Sequence, residues 1–181
     1  MSIHAEHPFA PPPEQRDAAR RFRGRLVSPV TLFLTGAGAL RAGLTVSSVV
    51  VVLGEPALVV GFVDPASEFA LALGDHFTVT ILTPADRALA DAFGAVAPAP
   101  GGPFRLAEFR DTAWGPRPAA SRSWLGATVR QRRPLGWAEE IVAEINHVDI
   151  ADSGAGEAGS ADAGSAEDPV AHLRARYRRL A

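Results

Sequence analysis

The chain has 181 residues, a formal net charge of −2 at pH 7 and no cysteine. That length suits one domain burying roughly 70% of its unfolded surface. The charge gives no general pull toward nucleic acid or anionic membrane, and the missing cysteines exclude disulfides, iron–sulfur clusters and thiolate zinc sites.

Residues 1–13 end in Pro11-Pro12-Pro13 and read as a disordered or extended arm. They contain no basic segment followed by an apolar one, so no signal peptide is expected. No apolar run is long enough to span a bilayer, and the expectation is a soluble cytoplasmic protein. Glu14 to Leu26 places Ala18, Phe22 and Leu26 on one stripe, a short polar helix stopped by Ser28-Pro29. Val30 to Thr35 is a strand, Gly36 to Ala39 a turn, and the stretch from Gly43 to Leu53 a single buried or half-buried strand entered through a glycine. Ala57 to Val63 is the next strand, and Asp64-Pro65-Ala66-Ser67 a turn suited to starting the short helix Glu68 to Leu73. Phe77 to Leu82 alternates apolar residues with threonines, as a strand. Thr83-Pro84 then caps a helix through Phe93.

Gly94 to Pro103 is a Pro/Gly/Ala loop, and Phe104 to Trp114 shows no period. Trp124 to Val129 is a strand, Arg130 to Pro134 a basic turn, and Trp137 to Ile150, rich in Ile and Val, a long strand. Residues 151–168 are almost wholly Gly, Ala, Ser, Asp and Glu and read as a flexible insertion. Residues 14–181 are therefore expected to form a single domain, mainly β, with about six or seven strands and two or three short helices: an antiparallel Greek-key-like barrel with helical decoration.

Chemistry is sparse. His4, His7, His76, His147 and His172 are scattered without metal-binding spacing. Gly36 and Gly38 fail as a dinucleotide fingerprint because Arg41 stands where the third glycine belongs. Asp75-His76 reads as an exposed turn and Glu139-Glu140 as solvated neighbours facing opposite sides of a strand. The arginines at 130, 132 and 133 read as a solvated turn, with phosphate contact as the alternative. One stretch asks for more. Thr45-Val46-Ser47-Ser48 brings three hydroxyls into an apolar strand, where each costs free energy unless partnered. Backbone groups satisfy them, or a polar ligand does. Flavin hydride transfer is an enzyme class that needs no ionisable constellation, because the cofactor carries the chemistry while the protein binds, orients and excludes water.

The stretch Gly43-Leu44-Thr45-Val46-Ser47-Ser48-Val49, followed by Glu55-Pro56-Ala57-Leu58-Val59, resembles the core motif of the flavin reductase family, the short-chain NAD(P)H:FMN reductases with an FMN-binding split barrel. Asp64-Pro65-Ala66-Ser67 is similar to that family's N-R-S-S turn, and Phe77 to Leu82 to its F-x-V-N-V-L strand, followed by a helix ending in Ala92-Phe93-Gly94. Trp124-Leu125, Ile141 to Ile145 and Pro169 to Tyr177 resemble its later strands, so the likeness covers roughly residues 15 to 180. The resemblance implies a split barrel in which Thr45, Val46, Ser47, Ser48 and Val49 hold the flavin ring edge and ribityl chain, with Asp64, Ala66 and Ser67 near the phosphate or ribityl hydroxyls. It further implies FMN, or FAD, as cofactor, NADH or NADPH as hydride donor, a homodimer, and delivery of reduced flavin to a monooxygenase. No catalytic side chain and no metal are expected. Asp64 and Thr80 replace asparagines of the family pattern, and Ala138-Glu139 stand where the family often has His-Thr. The alternative is therefore a flavin-binding protein without turnover, a carrier or interaction subunit. Trp137 reads as a packing residue of barrel or interface, or else as a substitute stacking surface.

Overall fold

The computed structural model describes residues 18–120, 122–151, 170–173 and 176–179. The expected arm and nearly all of the expected insertion lie outside the described residues. The chain order is α1 (Ala18–Arg23), β1 (Ser28–Pro29), β2 (Thr31–Thr35), β3 (Ala42–Val46), β4 (Val49–Val52), β5 (Leu58–Val63), α2 (Glu68–Ala72), β6 (His76–Ile81), α3 (Arg87–Phe93), β7 (Phe109–Thr112), β8 (Gly115–Pro118), β9 (Trp124–Leu135), β10 (Ala138–Asp149), β11 (Val170–Leu173) and β12 (Arg176–Arg179). The mainly β expectation is borne out, with more strands than the periodicity suggested.

Seven strands form one antiparallel sheet in the order β3-β2-β6-β9-β10-β5-β4. Register shifts at Val142/Ala143 and Ile145/His147 in β10 add local twist, and the sheet curls into a half-barrel. All five residues of β2 are buried, because the sheet has a core on each face. Phe33 points inward, where it meets Phe77 at 5.3 Å and Phe69 of α2 at 5.7 Å. Leu32 and Leu34 point outward under Leu89, Ala90 and Phe93 of α3. Gly61 makes the inner core possible: a Cβ there would lie 2.7 Å from the Phe33 ring.

The threonine face of β6 departs from the half-solvated strand that such alternation usually signals. Thr78 and Thr80 are 0% and 1% exposed; β8 packs against β6, and the Thr78 hydroxyl donates to the Pro116 carbonyl at 2.5 Å. The aperiodic Phe104 to Trp114 stretch contributes β7, which pairs with β8 as a hairpin. Thr83 and Asp86 form the capping box that precedes α3.

The expected single strand from Gly43 to Leu53 is two strands. β3 and β4 stand on opposite edges of the sheet, and only Ser47-Ser48 joins them. Valines 50–52 and Leu53 are exposed, not buried, because β4 is an edge strand. The expected basic turn at 130–134 is also overturned. β9 runs on through it to Leu135, and the turn falls at Gly136-Trp137, where Gly136 supplies the positive φ of 61° that a two-residue hairpin needs. Pro134 is tolerated because β6 pairs with β9 only along Trp124 to Thr128, so its missing donor interrupts no ladder on that side. Among the described residues no helix is long and apolar enough to cross a membrane.

Candidate active site

Because β3 pairs with β2 and β4 pairs with β5, the Ser47-Ser48 step spans the gap at which the sheet is split. The Ser48 carbonyl accepts from the Phe62 backbone N–H at 2.9 Å, which ties the crossing to β5. In front of this step lies a cleft of about 630 Å³, lined by Thr45, Val46, Ser47 and Ser48 on one side and Phe62, Val63 and Asp64 on another. The hairpin tip closes a third side with Leu135, Trp137 and Ala138, and Arg23 of α1 completes the rim. Its volume is that of a small-molecule or cofactor pocket, and its mixed lining of hydroxyls, one carboxylate, one guanidinium and aromatic surface suits an amphipathic ligand.

The structure thus brings together Thr45, Val46, Ser47, Ser48 and Asp64. The Thr45 hydroxyl, however, donates to the Ala90 carbonyl of α3 at 2.8 Å and serves the fold. The Ser48 hydroxyl accepts from Arg23 Nη2 at 3.1 Å, while the Ser47 hydroxyl has no hydrogen bond among the described residues. The Asp64 Oδ1 takes the Ala66 backbone N–H at 2.8 Å, which shapes the turn. The remaining three expected residues do not line this cleft. Val49 faces a separate apolar cavity of about 420 Å³ with Val59 and Trp124. Ala66 is exposed. The Ser67 hydroxyl is consumed by the cap of α2, accepting from the Ala70 N–H at 3.2 Å and donating to the Asp64 carbonyl at 2.6 Å.

Arg23 and Leu135 were not foreseen at the site. Arg23 falls at the end of a helix read only for its apolar stripe, and Leu135 sits at a hairpin end placed several residues too early. Trp137 is 96% exposed, so it is not a buried barrel residue. The arginines of β9 are not a solvated turn either. Arg132 is bidentate to Glu139 at 2.8 and 2.9 Å and also donates to the Ala70 and Leu73 carbonyls at the end of α2. Arg133 pairs with Glu140 and Arg130 with Glu144. The hydrogen bond from Arg133 holds the Glu140 carboxyl below its ordinary range. These pairs brace the arm that carries Trp137. Among the described residues no group of His, Asp and Glu could hold a metal ion.

A mainly β, split antiparallel barrel with a polar cleft at the split is the class that fold and site define. The family described as flavin reductase like domain matches residues 23–181. The chain belongs to that family, and the resemblance seen in its motifs is borne out. Solved structures share the fold. The NADH:FAD oxidoreductase SgcE6 of Streptomyces globisporus C-1027, in complex with NAD and FAD fragments, is 20% identical with a TM-score of 0.75 over 93% of this chain and 94% of its own. The styrene monooxygenase flavin reductase of Pseudomonas putida S12 is 15% identical with a TM-score of 0.72, covering 91% and 98%. The flavin reductase HpaC, complexed with NADP+, is 17% identical with a TM-score of 0.70, covering 90% and 96%. No curated protein sequence matches the chain.

Proposed function

We propose that this chain is an NAD(P)H-dependent flavin reductase that holds FMN in the cleft at the Ser47-Ser48 step and passes the reduced flavin to a partner monooxygenase. The observation that carries this reading is the convergence of Thr45 to Ser48, Asp64 and Trp137 on one cleft of cofactor size. The Ser47 hydroxyl is a donor available to a ring edge or ribityl oxygen, and Val46, Phe62 and Leu135 supply apolar surface for a flat ring. Bound there, the flavin supplies the redox chemistry, accepting hydride from NAD(P)H. The protein's part is to orient the ring, offer hydrogen bonds along its edge and keep water from the reacting face.

Support for a monooxygenase partner comes from the fold shared with the styrene monooxygenase flavin reductase. Two copies of the chain are proposed to pair through the exposed apolar edge formed by valines 50–52 and Leu53, with Val148 and Ile150 beside it. The cysteine-free sequence suits a reducing compartment, the cytoplasm.

The test is oxidation of NADH and NADPH by purified protein with FMN and FAD added in turn, followed by loss of the reduced-nicotinamide absorbance. Turnover above the protein-free rate is the expected result. Tight FMN binding without turnover would favour a flavin carrier, a reading that Ala138 supports because its methyl group brings no polar or ring contact to the cleft. Neither binding nor turnover would overturn both.

A further inference from the structure

Among the described residues lining the cleft there is one cation, Arg23, and one anion, Asp64. They mark different parts of it. Val63 pairs with Glu139 at the last rung of the β5–β10 ladder, so Asp64 follows at the hairpin end, where Ala138 and Trp137 also line the cleft. Arg23 instead reaches Ser48 at the strand crossing, its Nη2 donating to the hydroxyl at 3.1 Å. A phosphate entering this cleft meets repulsion at the Asp64 end, where Asp64-Pro65-Ala66-Ser67 contributes a carboxylate and no cation. At the other end it meets a planar guanidinium with five N–H donors, of which the Ser48 contact engages one.

We propose that Arg23, positioned by Ser48, binds the phosphate of the cleft's ligand and so sets the direction in which that ligand lies: phosphate at the strand crossing, ring toward Leu135 and Trp137. The proposal rests on the reading of this cleft as the flavin site. Phosphate reaches such a site from two sources, the monophosphate of FMN and the diphosphate of the nicotinamide dinucleotide, and the chemistry at Arg23 is the same for both. Arg23 also belongs to a helix whose residues 22 and 23 are exposed, so replacing it removes a charge from the cleft rim without opening either core.

Riboflavin, which is FMN without its phosphate, makes the test. Steady-state oxidation of NADH is measured for the wild-type chain, Arg23→Ala and Arg23→Lys, with FMN and with riboflavin as acceptor, alongside thermal unfolding of each variant. The expected result is an FMN KM raised on the order of tenfold to a hundredfold in Arg23→Ala, the range of one charged hydrogen bond. Arg23→Lys recovers part of it, the riboflavin KM stays at the wild-type value and the unfolding temperature does not move. A raised NADH KM with riboflavin as acceptor, and an unchanged FMN KM, assigns the phosphate to the dinucleotide. Equal rises for FMN and riboflavin would make Arg23 a structural residue and overturn the proposal. So would no change in any KM, with flavin reduction itself left standing. Absence of turnover with either flavin in the wild-type chain would instead remove the parent reading, and the proposal with it.

Discussion

Val46 and Val49, only three positions apart, belong to opposite edges of one seven-stranded sheet: Val46 pairs with Thr31 and Val49 with Gly61. The two serines between them are the seam of the split barrel. This answers the question raised by three hydroxyls in an apolar stretch. Thr45 and Ser48 have partners within the protein, while the half-buried Ser47 hydroxyl has none among the described residues.

If the seam holds a flavin, Ser47→Ala combined with Ser48→Ala weakens FMN binding by roughly fivefold per hydrogen bond lost, about 1 kcal/mol each. Flavin fluorescence titration reads this directly. Because neither hydroxyl supports the core, the unfolding temperature should stay within about 2 °C of wild type, the shift expected of well under 1 kcal/mol in a chain of this size. An unchanged FMN affinity would assign the serines to the fold alone.

Much of this architecture is legible in residue patterns, for identifiable reasons. Strands β2, β5 and β6 and helices α2 and α3 are bounded by Gly, Pro or capping hydroxyls, and such punctuation acts locally. Two features escape it. The break at Ser47-Ser48 leaves no gap in β-propensity, since the valines that follow suit an exposed edge strand as well as a buried one. The Arg130 to Pro134 segment resembles a turn because its charges are balanced by Glu139, Glu140 and Glu144, which adjoin it only once the hairpin has formed. For the same reason Arg23 could not be placed at the cleft: its contact with Ser48 spans 25 positions of sequence.

Gly61→Ala tests the inner core. The new methyl carbon would start 2.7 Å from a Phe33 ring atom, and that ring is wedged between Phe69 and Phe77. Overpacking of this kind costs about 1–3 kcal/mol. The unfolding temperature should fall by roughly 2–4 °C for each kcal/mol. A variant as stable as wild type would mean that the ring turns aside freely.

Acid stability has a local source at Asp86. Burial pushes its carboxyl up, but hydrogen bonds from Arg122 and from the Thr83 backbone and hydroxyl outweigh burial and hold it below the ordinary 3.8. A carboxyl depressed on folding contributes stability that is complete above its unfolded value and is lost as pH falls through the folded one. Asp86→Asn should therefore destabilise the protein at neutral pH and lose its disadvantage as the pH drops below about 4. Urea midpoints of both proteins across that range check this; a constant gap would exclude Asp86 as the titrating group.

The edge formed by valines 50–52 gives a test of pairing. Val51 is 51% exposed and borders the apolar cavity beside Trp124. If a second copy covers this edge, Val51→Glu buries an uncompensated charge in the interface and shifts the chain toward monomer in light scattering. Its fold is preserved, because the same side chain reaches water in the monomer. Wild type already monomeric at high concentration would refute the proposed pairing.

Trp137 offers the sharpest separation between folding and function. At 96% exposure it adds little to the stability of the monomer, yet an indole left in water beside a cleft is a ready face for a flat ring. The Arg132–Glu139 and Arg133–Glu140 pairs stiffen the two strands that present it. Trp137→Ala should leave the unfolding temperature unchanged and lower kcat/KM for NADH oxidation by roughly fivefold to tenfold, the worth of an aromatic stacking contact of about 1 kcal/mol. Trp137→Phe should restore most of it, since a smaller ring still stacks. If Trp137 packs only against a second copy of the chain, the alanine variant would instead change the oligomeric state and leave the kinetics of the paired form untouched.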